Sequence, residues 1–107
     1  MRLPEDARIA PEKITDYLLR PRDEHDKSGF LALAGYTPGH AARLEQDIRA
    51  QLLPLEAVAA GEDRFGWKYL IRGRLTGPNG RSLAVLSVWM REKATGATKF
   101  ITLYSDR

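Results

Sequence analysis

The side chains able to do chemistry lie mostly in the second half of the chain. Strand alternation splits Ser82 to Arg91 into Ala84, Leu86, Val88 and Met90 on one side and Leu83, Val85, Ser87, Trp89 and Arg91 on the other. Taking the first set as core, with Tyr69, Ile71, Ile101 and Leu103, leaves Lys68, Arg72, Arg74, Ser87, Trp89, Arg91, Thr102 and Tyr104 on the opposite face. Cations, hydroxyls and aromatic rings on one sheet face suit single-stranded RNA, since guanidinium groups hold phosphates and rings stack on bases for ~1 to 3 kcal/mol each. They also suit RNA cleavage. Attack by a 2′-hydroxyl needs a proton acceptor, a donor to the leaving oxygen and positive charge on the pentavalent phosphate, and His, Lys, Arg and Tyr supply these without a metal. The plainer reading is that Trp89 and Tyr104 cover a half-exposed sheet whose lysines and arginines keep its edges from pairing.

A second polar cluster, Arg22 to Lys27, contains His25, an imidazole suited to general base work near neutral pH. A solvated loop accounts for the same alternation of acids and bases. His40 falls in the first turn of a helix, where a surface or capping role is expected. Asp23, Glu24, His25 and Asp26 are adjacent, without the repeated spacing of metal ligands, and the chain has no cysteine, so neither a metal nor a disulfide is expected. The glycines at 77 and 80 match no phosphate-binding fingerprint and read as a hairpin turn, so no cofactor is expected.

Charge is unevenly spread. Residues 1 to 54 hold 8 Lys/Arg and 9 Asp/Glu, whereas between Arg64 and Tyr104 there are 8 Lys/Arg against the one acid Glu92. A +7 segment is an electrostatic footprint for polyanions. At 43% hydrophobic and 29% charged the 107 residues have an ordinary globular composition, enough for one modest core, so a single domain over 1–107 is expected. No apolar run approaches the ~20 residues of a membrane span. The first thirteen residues lack the apolar run of a secretory signal, so a cytoplasmic location is expected.

The elements that must position these side chains follow from periodicity. Pro11 opens a helix with Ile14, Tyr17 and Leu18 on one stripe, Phe30 to Ala34 forms a short apolar turn before Gly35, and Thr37 to Leu53 is an amphipathic helix with Leu44, Ile48 and Leu52 in register, stopped by Pro54. Then the period changes. Leu55 to Ala60, Trp67 to Leu75, Ser82 to Arg91 and Lys99 to Tyr104 read as strands, with Gly77-Pro78-Asn79-Gly80 and Ala94-Thr95-Gly96 as hairpin turns. The expected fold is α+β: two to three helices over about 11–53 packed on one face of a four-stranded antiparallel meander over about 55–105.

Several segments carry a family resemblance. MRLPEDARI, KITDYLLRP, KSGFLALAGY, FGWKYLIRGRLTGPNGRS, SVW and KFITLY, in this order and over nearly the whole chain, resemble an uncharacterised bacterial domain of unknown function of about this length, found free-standing and at the C-terminal ends of polymorphic toxins. Helices followed by a four-stranded meander also look like the ribonuclease group that includes barnase, EndoU, RelE and several colicins. By position that likeness implies His25, Lys27, Arg91, Thr102 and Tyr104 as catalytic residues. Lys27 and Arg91 would hold phosphate, Tyr104 or His25 would transfer protons, and Thr102 would position the scissile group. Lys68, Arg72, Arg74, Ser87 and Trp89 are the expected nucleic-acid contacts. The resulting expectation is a metal-independent, RNA-cleaving or RNA-binding domain of toxin type with RNA and a cognate immunity or antitoxin protein as partners; the alternative is a non-catalytic protein-interaction module.

Overall fold

A computed structural model describes residues 1–21 and 27–106. Helices precede strands. Helix α1 (Lys13–Leu18), wound as a wide π-helix, buries Ile14 and Leu18, and α2 (Ser28–Ala32) buries Leu31. Helix α3 spans residues 38–52, entering through a tight turn at Pro38–His40 and leaving through a wide one at Ile48–Leu52. Thr37 caps it reciprocally with His40, whose Nδ1 accepts the Thr37 backbone N–H at 3.2 Å, so this imidazole closes a helix end. Leu44, Ile48 and Leu52 are sealed beneath α3, as their spacing requires. Among the described residues no helix is long and apolar enough to cross a membrane.

The sheet is an open antiparallel meander in the order β1-β2-β3-β4, with β1 at Val58–Glu62, β2 at Gly66–Thr76, β3 at Ser82–Glu92 and β4 at Thr98–Ser105, so the fold is α+β. The first strand starts later than its β-compatible residues suggest, because Leu55 N–H still bonds the Leu52 carbonyl to finish the helix. The Gly77 to Gly80 turn does more than reverse the chain. Asn79 donates from its backbone to the Ala34 carbonyl and from its side chain to the Leu33 carbonyl, docking the β2–β3 hairpin on the end of α2. A Cβ at Gly77 would overlap the Ala34 carbonyl oxygen, so only glycine permits this approach. Helix α3 is tied to the end of β2 at Thr76, whose N–H and C=O both pair with the Gln51 amide at 2.7 and 3.0 Å. The buried Tyr36 hydroxyl donates to Asp47 at 2.6 Å, and Arg43 donates to the same carboxylate oxygen.

Strand β3 is turned over relative to the sequence-based expectation. Leu83, Val85, Ser87 and Trp89 face the helices and are buried, whereas Ala84, Leu86 and Val88 lie half-buried on the open face. Register forces this: Ile71, buried as expected, pairs with Ser87, and Tyr69 pairs with Trp89. Ser87 and Trp89 are therefore core residues and not nucleic-acid contacts. The Ser87 hydroxyl donates to the Ile71 carbonyl and accepts the Trp89 indole N–H, both at 2.9 Å, so the two polar groups satisfy each other in the interior. In β4 the register slips between Val88 and Trp89, pairing Trp89 with Phe100 and Val88 with Thr102 and leaving Ile101 as the extra residue. That bulge lets both Phe100 and Leu103 reach the core, and Phe100 meets Trp89 edge to face with ring centres 5.2 Å apart.

The orientation is open to a direct check. Val85→Asp should cost about 3 kcal/mol or more in urea unfolding, because an unpaired carboxylate would enter the core, while Val88→Asp on the open face should cost under about 1.5 kcal/mol. The reverse ranking would invert the sheet. Burial and the neighbouring Asp47 raise the Tyr36 phenol well above its ordinary range. A raised folded-state pKa means stability that is present below the unfolded phenol's value of about 10 and lost as pH rises beyond it. Stability measured from pH 9 to 11 should fall, and Tyr36→Phe should flatten that fall.

Candidate functional site

One cation is gathered by side chains remote in sequence. Lys27, just before α2, donates from Nζ to Thr102 Oγ1 at 2.6 Å and to the Tyr17 hydroxyl at 3.1 Å. The same ammonium lies 4.0 Å from the centre of the Tyr104 ring and 4.9 Å from that of Tyr17. Local structure explains the convergence. Tyr17 comes from the stripe of α1 that carries Ile14 and Leu18 into the core, and Thr102 and Tyr104 are two residues apart on the edge strand β4, hence on one face. The bulge at Ile101 keeps them there, since Thr102 pairs with Val88 and Tyr104 with Leu86, both open-face positions.

Among the described residues the partners of Lys27 are neutral, and no carboxylate lies within ion-pair distance of it. Ring faces stabilise an ammonium through their quadrupole without cancelling its charge. The positive charge is therefore part-buried and, among the described residues, held by two hydroxyl oxygens. Tyr104 is 49% exposed, which puts a phenol beside the cation within reach of solvent.

The other expected site residues divide by face. Lys68, Arg72 and Arg74 are exposed and pair in register with Met90, Leu86 and Ala84, so they share the open face with Thr102 and Tyr104. Arg91 does not join them. Its position is opposite Thr98 on the helix side of the sheet, roughly 20 Å along β4 from Tyr104 at ~3.3 Å per residue, and its guanidinium lies 5.8 Å from the Trp67 ring. His25 lies outside the described residues.

The basic segment is also less naked than its composition suggests. Arg72 pairs with Asp106 at 2.5 Å, Lys93 with Glu62 at 2.5 Å, Lys68 with Asp63 at 3.9 Å and Lys99 with Glu92 at 3.3 Å. Three of those acids flank the window from Arg64 to Tyr104 and fold back on it. Asp63 is held below its ordinary range chiefly by the Phe65 backbone N–H, with burial opposing. Exposed pairs of this kind are weak and exchange readily for another anion. Arg74 has no such partner among the described residues.

Sequence reasoning missed two aromatic members. Tyr17 was read only as part of a helical stripe, and its placement next to Lys27 depends on the path between α1 and α2. Trp67, 37% exposed, holds the ammonium of Lys93 at 5.3 Å as well as the Arg91 guanidinium, and its signal was its place two residues before Tyr69 on one strand face.

Comparison with known proteins gives a family and no activity. Neither curated proteins nor solved structures yield a match. One family model matches residues 2–107, covering all four strands and the Lys27 cluster, and the chain belongs to that family, described as a domain of unknown function (DUF6883).

Proposed function

We propose that this domain binds single-stranded RNA across the open face of its sheet and cleaves it without a metal ion at the Lys27 cluster. The observation that carries the reading is the Lys27 ammonium, which has no carboxylate partner among the described residues, bonded to Thr102 and stacked on the half-exposed Tyr104. In cleavage the 2′-oxygen bonds to phosphorus and the bond to the 5′-oxygen breaks, leaving a 2′,3′-cyclic phosphate and a 5′-hydroxyl. Lys27 supplies positive charge to the pentavalent phosphate. Tyr104, beside the ammonium, or His25 is the group for proton transfer from the 2′-hydroxyl or to the 5′-oxygen. Thr102 and Tyr17 hold the ammonium in place, and Arg72 and Arg74 contact phosphates further along the strand. Arg91, on the far side of the sheet, has no part in this step.

A second reading rests on a different feature of the same face. Val58, Leu70 and Val88 form a cross-strand aliphatic row there, and Val58 is 63% exposed. Aliphatic side chains suit a protein partner better than bases, so a non-catalytic interaction module is the rival. It predicts neither salt-sensitive RNA affinity nor cleavage.

Incubated with an unstructured RNA in EDTA, the protein should yield cyclic-phosphate ends. Lys27→Ala and Tyr104→Phe should each lower the rate by ~10²-fold or more, with circular dichroism unchanged. Absence of cleavage, loss of cleavage in EDTA, or full activity in Lys27→Ala would contradict the proposal. Stability separates function from architecture at the same residue. Lys27→Ala should cost about 1 to 3 kcal/mol, the worth of its two hydrogen bonds and two cation–π contacts at a part-exposed site. A loss above about 3 kcal/mol would make Lys27 a pin holding the chain on β4.

A further inference from the structure

On the helix side of the sheet, beyond the end of the helical layer, the N-terminal segment walls a cavity of about 330 Å³. Its floor is Tyr69, Arg91 and Thr98, and Arg2, Leu3 and Pro4 close one side. The cavity lies across the sheet from the Lys27 cluster and plays no part in the cleavage proposed above. Arg91 and Arg2 are exposed, and neither forms an ion pair among the described residues. The exposed Glu56 carboxyl is held low chiefly by its hydrogen bond from the N-terminal ammonium, with Arg2 adding to it. The half-buried Tyr69 packs against the core.

Arg91 has no counter-charge among the described residues and Arg2 only the Glu56 carboxylate, which the N-terminal ammonium already pairs, so an anion between the two guanidinium groups would relieve their repulsion. Leu3 and Pro4 make the rest of the Arg2 side apolar and the floor carries a phenol ring, a surface on which a flat heterocycle stacks. The volume is near the lower end of the range of about 300–1,000 Å³ for small-molecule sites, which favours one nucleotide over an oligomer.

We infer that this cleft binds a nucleoside monophosphate, free or at the end of a strand, with its phosphate on Arg91 and Arg2 and its base against Tyr69 and the Leu3-Pro4 wall. Arg91 also reports on the site. Its guanidinium rests near the half-exposed Trp67, so a ligand that draws it away changes the emission of that tryptophan, while the sealed Trp89 stays constant.

The test is titration of the intact protein with AMP, GMP, CMP and UMP, followed by Trp67 emission and calorimetry, with inorganic phosphate, the neutral nucleosides and a 5′-phosphorylated RNA oligonucleotide as parallel arms. At least one mononucleotide should bind saturably, and phosphate alone and the nucleoside should each bind at least about tenfold more weakly. Arg91→Ala and Arg2→Ala should each weaken binding by about tenfold or more, whereas Lys27→Ala should leave it unchanged, which separates this site from the cleavage site. A change in Trp67 emission with the 5′-phosphorylated oligonucleotide but not with its unphosphorylated form would identify a strand end as the source, and a change with the mononucleotides alone would identify a free nucleotide. Failure of every mononucleotide and of the phosphorylated end to bind would overturn the inference. So would binding that survives Arg91→Ala, or inorganic phosphate binding as tightly as the nucleotide.

Discussion

The hydroxyl of Ser87 decides which side of the sheet is inside. It bridges the Ile71 carbonyl on β2 and the Trp89 indole on β3, so three polar groups that would each be costly in the interior satisfy one another there. With that bridge in place Trp89 becomes the largest sealed side chain of the core, and Phe100 must come across from β4 to pack on its edge. Phe100 and Leu103 cannot both point inward on a regular strand. The extra residue at Ile101 resolves the conflict, and the same slip leaves Thr102 and Tyr104 on the open face.

The candidate site follows from that frame. Lys27 meets the sheet at its β4 edge, where an ammonium can contact an open-face hydroxyl and ring while Tyr17 reaches it from the helical layer. Among the described residues this cation is bound only by neutral groups, in contrast to Arg43, whose charge is spent on Asp47. Arg74 and the exchangeable Arg72–Asp106 pair extend positive charge across the same face, and Arg91 belongs to a separate surface under the N-terminal segment.

Much of the architecture was legible in the residues. Leu44, Ile48 and Leu52 between Pro38 and Pro54 allow little but an amphipathic helix, and the glycine turns at 77–80 and 94–96 fix a meander. The parity of β3 was not legible, because aliphatic residues occupy both of its faces: Leu83 and Val85 on one, Leu86 and Val88 on the other. Hydrophobicity then gives no preference, and reading Ser87 as polar and therefore outward tips the choice the wrong way. What did contain the answer was the neighbouring strand, where Ile71 was placed correctly and where antiparallel pairing carries its orientation to Ser87. The bulge at Ile101 left no mark in KFITLY, which alternates well enough to look regular. Local charge counting misled for a related reason, since Glu62, Asp63 and Asp106 sit just outside the basic segment in sequence and fold against it in space.

The central claim is that the Lys27 ammonium waits for a phosphodiester at the β4 edge. An RNA oligonucleotide with a single 2′-deoxy substitution at its scissile position cannot be cut and so can be held in place while the side-chain resonances of Lys27, Thr102 and Tyr104 are followed by NMR. The account predicts that these three, with Arg72 and Arg74, move together and saturate at one affinity that weakens with salt. Resonances of Lys27 and Tyr104 that stay fixed while the oligonucleotide binds elsewhere, or that shift by the same amount with a neutral nucleoside, would contradict it.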